Sequence, residues 1–136
     1  MKKIKNVIAA ALAALTVSSV ALTASAYSNY EFTFNLSSIS GGWAKPIAGR
    51  EKEDNANYAR LKSTGGYFYN GAYIEVTLYK AQSTASTYRI SGSGRLTSPI
   101  QTVDVYYNVT RGAGSKSYLY GVTGVEKAEV AGTWNP

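Results

Sequence analysis

The sequence contains no histidine and no cysteine, and these two absences exclude more chemistry than any residue present supports. Without imidazole or thiolate, the common zinc sites, the Cys-His dyads and the Ser-His-Asp triads have no members. Without cysteine, no disulfide can staple the fold, so stability must come from a packed core or from a bound metal. Charge is also sparse, and the basic residues after Lys5 lie singly. No run of one sign exists to track a phosphate backbone, which argues against a nucleic-acid partner. The one pronounced apolar stretch, Val7 to Leu15, is followed by Thr16, Ser18 and Ser19. It falls well short of the roughly 20 residues that a bilayer requires, so stable membrane insertion is not expected.

That stretch has another meaning. Lys2, Lys3 and Lys5 precede it, and Ala24-Ser25-Ala26 closes it with small residues. A basic start, a short apolar centre and an A-x-A end form the pattern of a secretory signal peptide over residues 1–26. Cleavage after Ala26 leaves Tyr27 to Pro136, and the protein is expected to be secreted. Three of the 14 basic residues leave with the peptide and none of the eight acidic ones do, so the mature net charge is 11 against 8, or +3. Residues 27–136 suffice for one domain with one core.

What is abundant is tyrosine, with 12 copies beside three phenylalanines and two tryptophans. Such residues suit a half-buried pleated surface. The hydrophobic period supports this composition. Phe32, Phe34 and Leu36 alternate with Glu31, Thr33 and Asn35; Ile74, Val76 and Leu78 alternate with Tyr73, Glu75, Thr77 and Tyr79; and Val103, Val105, Tyr107 and Val109 alternate with Asp104, Tyr106 and Asn108. These patterns predict strands over Tyr30–Leu36, Tyr73–Lys80 and Val103–Val109. Weaker patterns predict strands over Tyr58–Lys62, Thr87–Ser91, Ser117–Val122 and Lys127–Trp134. Turn signals fall between them at Gly41-Gly42, Gly65-Gly66, Asn70-Gly71, Gly92-Ser93-Gly94 and Gly112-Ala113-Gly114. About seven short strands in one domain predict an all-β fold, an antiparallel β-sandwich, because a single sheet would leave its apolar face in water.

Few groups could carry chemistry. Ser115, Lys116 and Ser117 offer a serine and a lysine, but in a Gly-rich turn where a desolvated lysine is not expected. Glu75 and Asp104 are the one carboxylate pair that a glycoside hydrolase could use, each on the polar face of a strand; outward acids on sheets more often guard edges and keep a protein soluble. Glu51, Glu53 and Asp54, near Asn55 and Asn57, supply hard oxygen ligands of the kind calcium takes. Arg50 and Lys52 alternate with them and no EF-hand spacing is present, so a solvated loop of mixed sign is the preferred reading. The tyrosines remain. Tyr67, Tyr69, Tyr73, Tyr79 and Tyr106 flank the turns, and tyrosines beyond those a core needs suit a binding face.

The segments Gly49-Arg50-Glu51-Lys52-Glu53-Asp54 and Val130-Ala131-Gly132-Thr133-Trp134-Asn135-Pro136, with a late Tyr118-Leu119-Tyr120 strand, make the chain similar to a group of small secreted proteins of Gram-positive bacteria. In that group, which is a domain of unknown function, G-R-x-K-x-D and G-x-W-x-P segments recur. The resemblance implies an exported all-β protein, sometimes likened to bacteriocin-type products, and carries over no catalytic residue. It also implies that Arg50 or Lys52 pairs with Asp54 to fix the loop against the sheet. The resulting expectation is a non-enzymatic secreted protein without a cofactor, binding a cell-wall polymer, a glycan or a protein through tyrosines. The alternative is a bacteriocin-like antimicrobial or signalling protein acting on the envelope of competitors.

Overall fold

A computed structural model of the protein describes residues 28–124 and 126–136; the expected signal peptide lies outside the described residues. The fold is all-β, with two antiparallel sheets. Among the described residues nine strands follow in order: β1 (Tyr30–Leu36), β2 (Gly41–Trp43), β3 (Arg50–Glu51), β4 (Tyr58–Phe68), β5 (Ile74–Tyr79), β6 (Arg89–Leu96), β7 (Gln101–Tyr106), β8 (Lys116–Thr123) and β9 (Ala128–Asn135). One sheet runs β1-β9-β4-β7, the other β2-β8-β5-β6, with β3 added against β8. Among the described residues no helix is long and apolar enough to cross a membrane.

Alternation of side chains decides which way each strand faces. In β1, Phe32, Phe34 and Leu36 are buried while Glu31, Thr33 and Asn35 are exposed. In β9, Ala128, Val130 and Trp134 are buried; in β5, Ile74, Val76 and Leu78 are; in β8, Leu119 is. These residues from both sheets form one core. At roughly 1.5–3 kcal/mol for each large apolar side chain removed from water, this layer replaces the absent disulfides.

Four connections leave the sheets at one end and carry the chain from one sheet to the other: β1 to β2, β4 to β5, β6 to β7 and β8 to β9. The two flanks between the sheets are sewn by short contacts. On one side, Thr33 and Lys45 exchange backbone hydrogen bonds of 2.8 and 2.9 Å, so the segment that pairs with β8 as β2 also reaches β1. On the other, Ser91 bridges Tyr107, and the Asn108 N–H donates to Ile90 O at 2.9 Å.

Several expectations from the pattern need correction. Alternation puts Val109 inward, but the strand ends at Tyr106 and Val109 is 47% exposed. Gly41-Gly42, Gly65-Gly66 and Gly92-Ser93-Gly94, read as turns, lie inside strands. Glycine is required in a sheet where another group leaves no room for a side chain. A Cβ on Gly94 would stand 2.7 Å from both Val103 and Val105. Gly66 follows the register shift between Ser63 and Gly65 and combines φ of +146° with a would-be Cβ only 2.2 Å from Glu129 O. Its neighbour Gly65 has open space around it.

That contrast yields a test. Gly66→Ala is expected to lower unfolding stability by about 3 kcal/mol, from steric overlap and a disfavoured backbone together. Gly65→Ala should stay within about 1 kcal/mol of wild type. Urea unfolding midpoints of the two variants measure the difference; equal midpoints would contradict the packing described here.

Candidate functional site

The loop from Gly49 to Asn57 is built around one buried cation. The Lys52 side chain is fully buried, and its Nζ donates to Asp54 Oδ1 at 2.5 Å and to Pro136 O at 3.2 Å. It also lies 5.4 Å from the centre of the Tyr107 ring. A lysine is tolerated in such a place only when its charge and its protons are matched. The backbone continues the closure: Lys52 N–H donates to Ser115 O, Gly114 N–H donates to Lys52 O, and Ala113 N–H donates to Asn55 Oδ1. Asp54 also accepts from Ala56 N–H at 2.9 Å.

Burial pushes the Asp54 carboxyl up, but the Lys52 hydrogen bond, the Ala56 N–H and the Lys52 charge outweigh it and hold the group below the usual carboxylate range. Burial raises the Tyr107 phenol, whose hydroxyl lies 3.4 Å from Ser117 Oγ. The ammonium of Lys52 is thus held in place by an anion and a carbonyl, an arrangement that fixes a loop and leaves no open nucleophile.

The other members of the segment go elsewhere. Arg50 stacks over Tyr30 at 4.8 Å. Glu51 lies 3.9 Å from Lys116, and Glu53 accepts from the Ser28 N–H at 2.8 Å, a bond that lowers its pKa. Glu51, Glu53 and Asp54 therefore have three separate partners, and among the described residues no three carboxylates, histidines or cysteines gather as metal ligands would. Arg60 grips Asp104 with two hydrogen bonds of 2.7 and 2.9 Å, which lower the Asp104 pKa. Glu75 sits 3.9 Å from Arg95. Asp104 belongs to the outer face of one sheet and Glu75 to the outer face of the other. With the core between them, the two carboxylates cannot flank one glycosidic bond.

The five tyrosines singled out by sequence are dispersed. Tyr67 and Tyr69 are exposed and 6.1 Å apart beside the β4–β5 connection. Tyr106 is exposed on the outside of the four-stranded sheet, 5.8 Å from Tyr58. Tyr73 lies under Arg95, 4.2 Å from its guanidinium. Tyr79, expected to face solvent, does point outward from its sheet but is only 8% exposed. The indole of Trp43 reaches it from β2, across β8, with ring centres 5.6 Å apart.

Trp43 is the centre of the cluster that sequence reasoning missed. On the outer face of the five-stranded sheet it meets Tyr120 at 4.9 Å, Tyr79 at 5.6 Å and Tyr118 at 6.2 Å, all edge to face, the geometry that ring quadrupoles favour. Trp43 is directly opposite Tyr120, and Tyr79 directly opposite Tyr118. Tyr120 and Tyr118 lie over Gly41 and Gly49, where a Cβ would stand 2.4 and 2.8 Å from their side chains. Trp43, Tyr118 and Tyr120 each remain partly exposed. Next in the row, Thr77 and Ser93 set their hydroxyls 3.4 Å apart. The signal in the sequence was the pair of glycines facing tyrosines, which only the strand pairing reveals.

No protein-family model matches the chain, and no curated protein and no solved structure matches it either.

The Lys52 pair predicts an asymmetry. Asp54→Asn leaves a buried ammonium without its anion and is expected to cost about 3 kcal/mol or more. Lys52→Met is expected to cost less than half of that, because Asp54 is 26% exposed and keeps the Ala56 N–H. The folded pKa values of Asp54 and Asp104 lie below their unfolded values near 3.9. Their contribution to stability is therefore complete above about pH 4 and is lost as pH falls through the depressed values. Urea titrations between about pH 2 and pH 7 check both points, and Lys52→Met should flatten the acid side of the curve.

Proposed function

We propose that the protein is a secreted, non-enzymatic β-sandwich that binds a cell-surface or extracellular partner through an aromatic face. The observation that carries this reading is the partly exposed cluster of Trp43, Tyr118 and Tyr120 on the outer side of the five-stranded sheet. Rings already held edge to face lose little side-chain freedom on binding, and they present area that is apolar in the middle and polar at the hydroxyls. Export is supported by the basic, apolar and A-x-A order of residues 1–26. The absence of histidine and cysteine and the separation of Glu75 from Asp104 support binding over catalysis. This reading moves the expected contact surface from the dispersed Tyr67, Tyr69, Tyr73, Tyr79 and Tyr106 to Trp43, Tyr118 and Tyr120, of whose cluster Tyr79 is a covered member.

Purified protein should be retained by isolated bacterial cell walls or by immobilised extracellular glycans in a saturable manner. Trp43→Ala and Tyr120→Ala should weaken retention at least tenfold, equivalent to ~1.4 kcal/mol, while Tyr106→Ala on the opposite sheet leaves it unchanged. Retention insensitive to all three changes, or none by the wild type, rejects the aromatic face.

A second reading, an envelope-directed antimicrobial, is favoured by one feature. Ile39, a β-branched residue at φ of +51°, is 82% exposed at the same end of the sheets as the exposed Tyr67 and Tyr69. A residue in the left-handed region with its side chain in water is held against both backbone preference and hydration. Under this reading the protein inhibits growth of related strains and Ile39→Asn abolishes inhibition without loss of stability; inactivity across a broad panel removes it.

A further inference from the structure

Beside the aromatic cluster lies one arginine whose position is fixed by its own strand. Arg89 opens β6 directly opposite Tyr79. Its Nε donates to Ser91 O at 2.9 Å, and its Nη2 donates to Ser93 Oγ at 3.0 Å. Ser93 in turn reaches Thr77, the neighbour of Tyr120 across the sheet. The guanidinium is thus laid along β6 at the edge of the outer face, and the residue is exposed. Among the described residues, Arg95 has Glu75 and Lys116 has Glu51 as an acidic neighbour, each at 3.9 Å, whereas Lys45, exposed two residues after Trp43, has none. Arg89 forms no ion pair with a described acid.

Three features therefore stand side by side: a platform of rings, a pair of hydroxyls and a prepositioned cation with N–H groups to spare. Each matches one part of an acidic sugar. The C–H face of a pyranose packs on aromatic rings, its hydroxyls exchange hydrogen bonds with the exposed Ser93, which the buried Thr77 supports from below, and its carboxylate takes the charge-assisted bond of an arginine. The sign of the face agrees. Outward residues of this sheet carry Arg89, Arg95 and Lys116 against Glu51 and Glu75, a surplus of one cation, whereas the other sheet sets Arg60, Lys62 and Lys127 against Glu31, Asp104 and Glu129 and is balanced.

We propose that the Trp43–Tyr118–Tyr120 face, with Arg89 at its border, binds an acidic polysaccharide whose sugar rings bear carboxylates. This rests on the binding-module reading and narrows it to one ligand class.

The probes are oligogalacturonate, the same oligosaccharide as its methyl ester, and polyglycerol phosphate, which is anionic but has no sugar rings. Titration would follow the fluorescence of Trp43, since Trp134 is only 3% exposed. Oligogalacturonate should bind at least tenfold more tightly than its methyl ester and lose affinity as salt screens the charge. Arg89→Gln should erase that preference, bringing the acid down to the affinity of the ester. Trp43→Ala should weaken both sugars, and Lys62→Gln on the opposite sheet neither. The proposal is overturned if the ester binds as well as the acid, if polyglycerol phosphate competes equally, if Arg89→Gln has no effect, or if the wild type ignores the oligogalacturonate. Retention by cell walls without binding of oligogalacturonate sinks this proposal and spares the broader reading; failure of both assays sinks both.

Discussion

The buried ammonium of Lys52 is the constraint on which one end of the molecule depends. Its partners come from three parts of the chain: Asp54 within its own loop, Tyr107 just beyond β7, and Pro136 after β9. A charge with no access to water ties these parts together because each alternative exposes an unmatched group to an apolar interior. The β3 strand, only two residues long, pairs with β8 where this loop closes. The order of Gly49, under the ring of Tyr118, thus follows from a cation that never touches the outer face.

The outer face draws its order from different physics. Its rings stand on strands whose other sides are anchored in the core, so their spacing is that of the sheet. Trp43 sits on a three-residue strand and extends over its neighbours, which turns a row of separate tyrosines into one surface. The Arg60 and Asp104 fork on the opposite sheet illustrates the contrast. It is a well-formed ion pair, but it lies at the surface, where water and salt screen its attraction.

Much of the fold could be read from the sequence because strand alternation is a local signal. Tyr30–Leu36 was delimited by the period of Phe32, Phe34 and Leu36 alone, and β5, β8 and β9 lie within a residue or so of the predicted runs. What escaped was non-local. Glycines at positions 66 and 94 look like turns until the opposing strand that crowds them is known. Tyr79 alternates as an outward residue should, yet an indole from a strand two places away covers it. Lys52 reads as a solvated charge, yet it is buried against Pro136, 84 positions later.

The backbone stitches at Thr33 with Lys45, and at Ser91 with Tyr107, have a consequence beyond this one molecule. Open sheets carry rows of unused amides along their borders, and such rows template the stacking of further copies. Here both borders are partly spent on the chain itself. A two-sheet protein gains from this a built-in resistance to cross-β fibre growth.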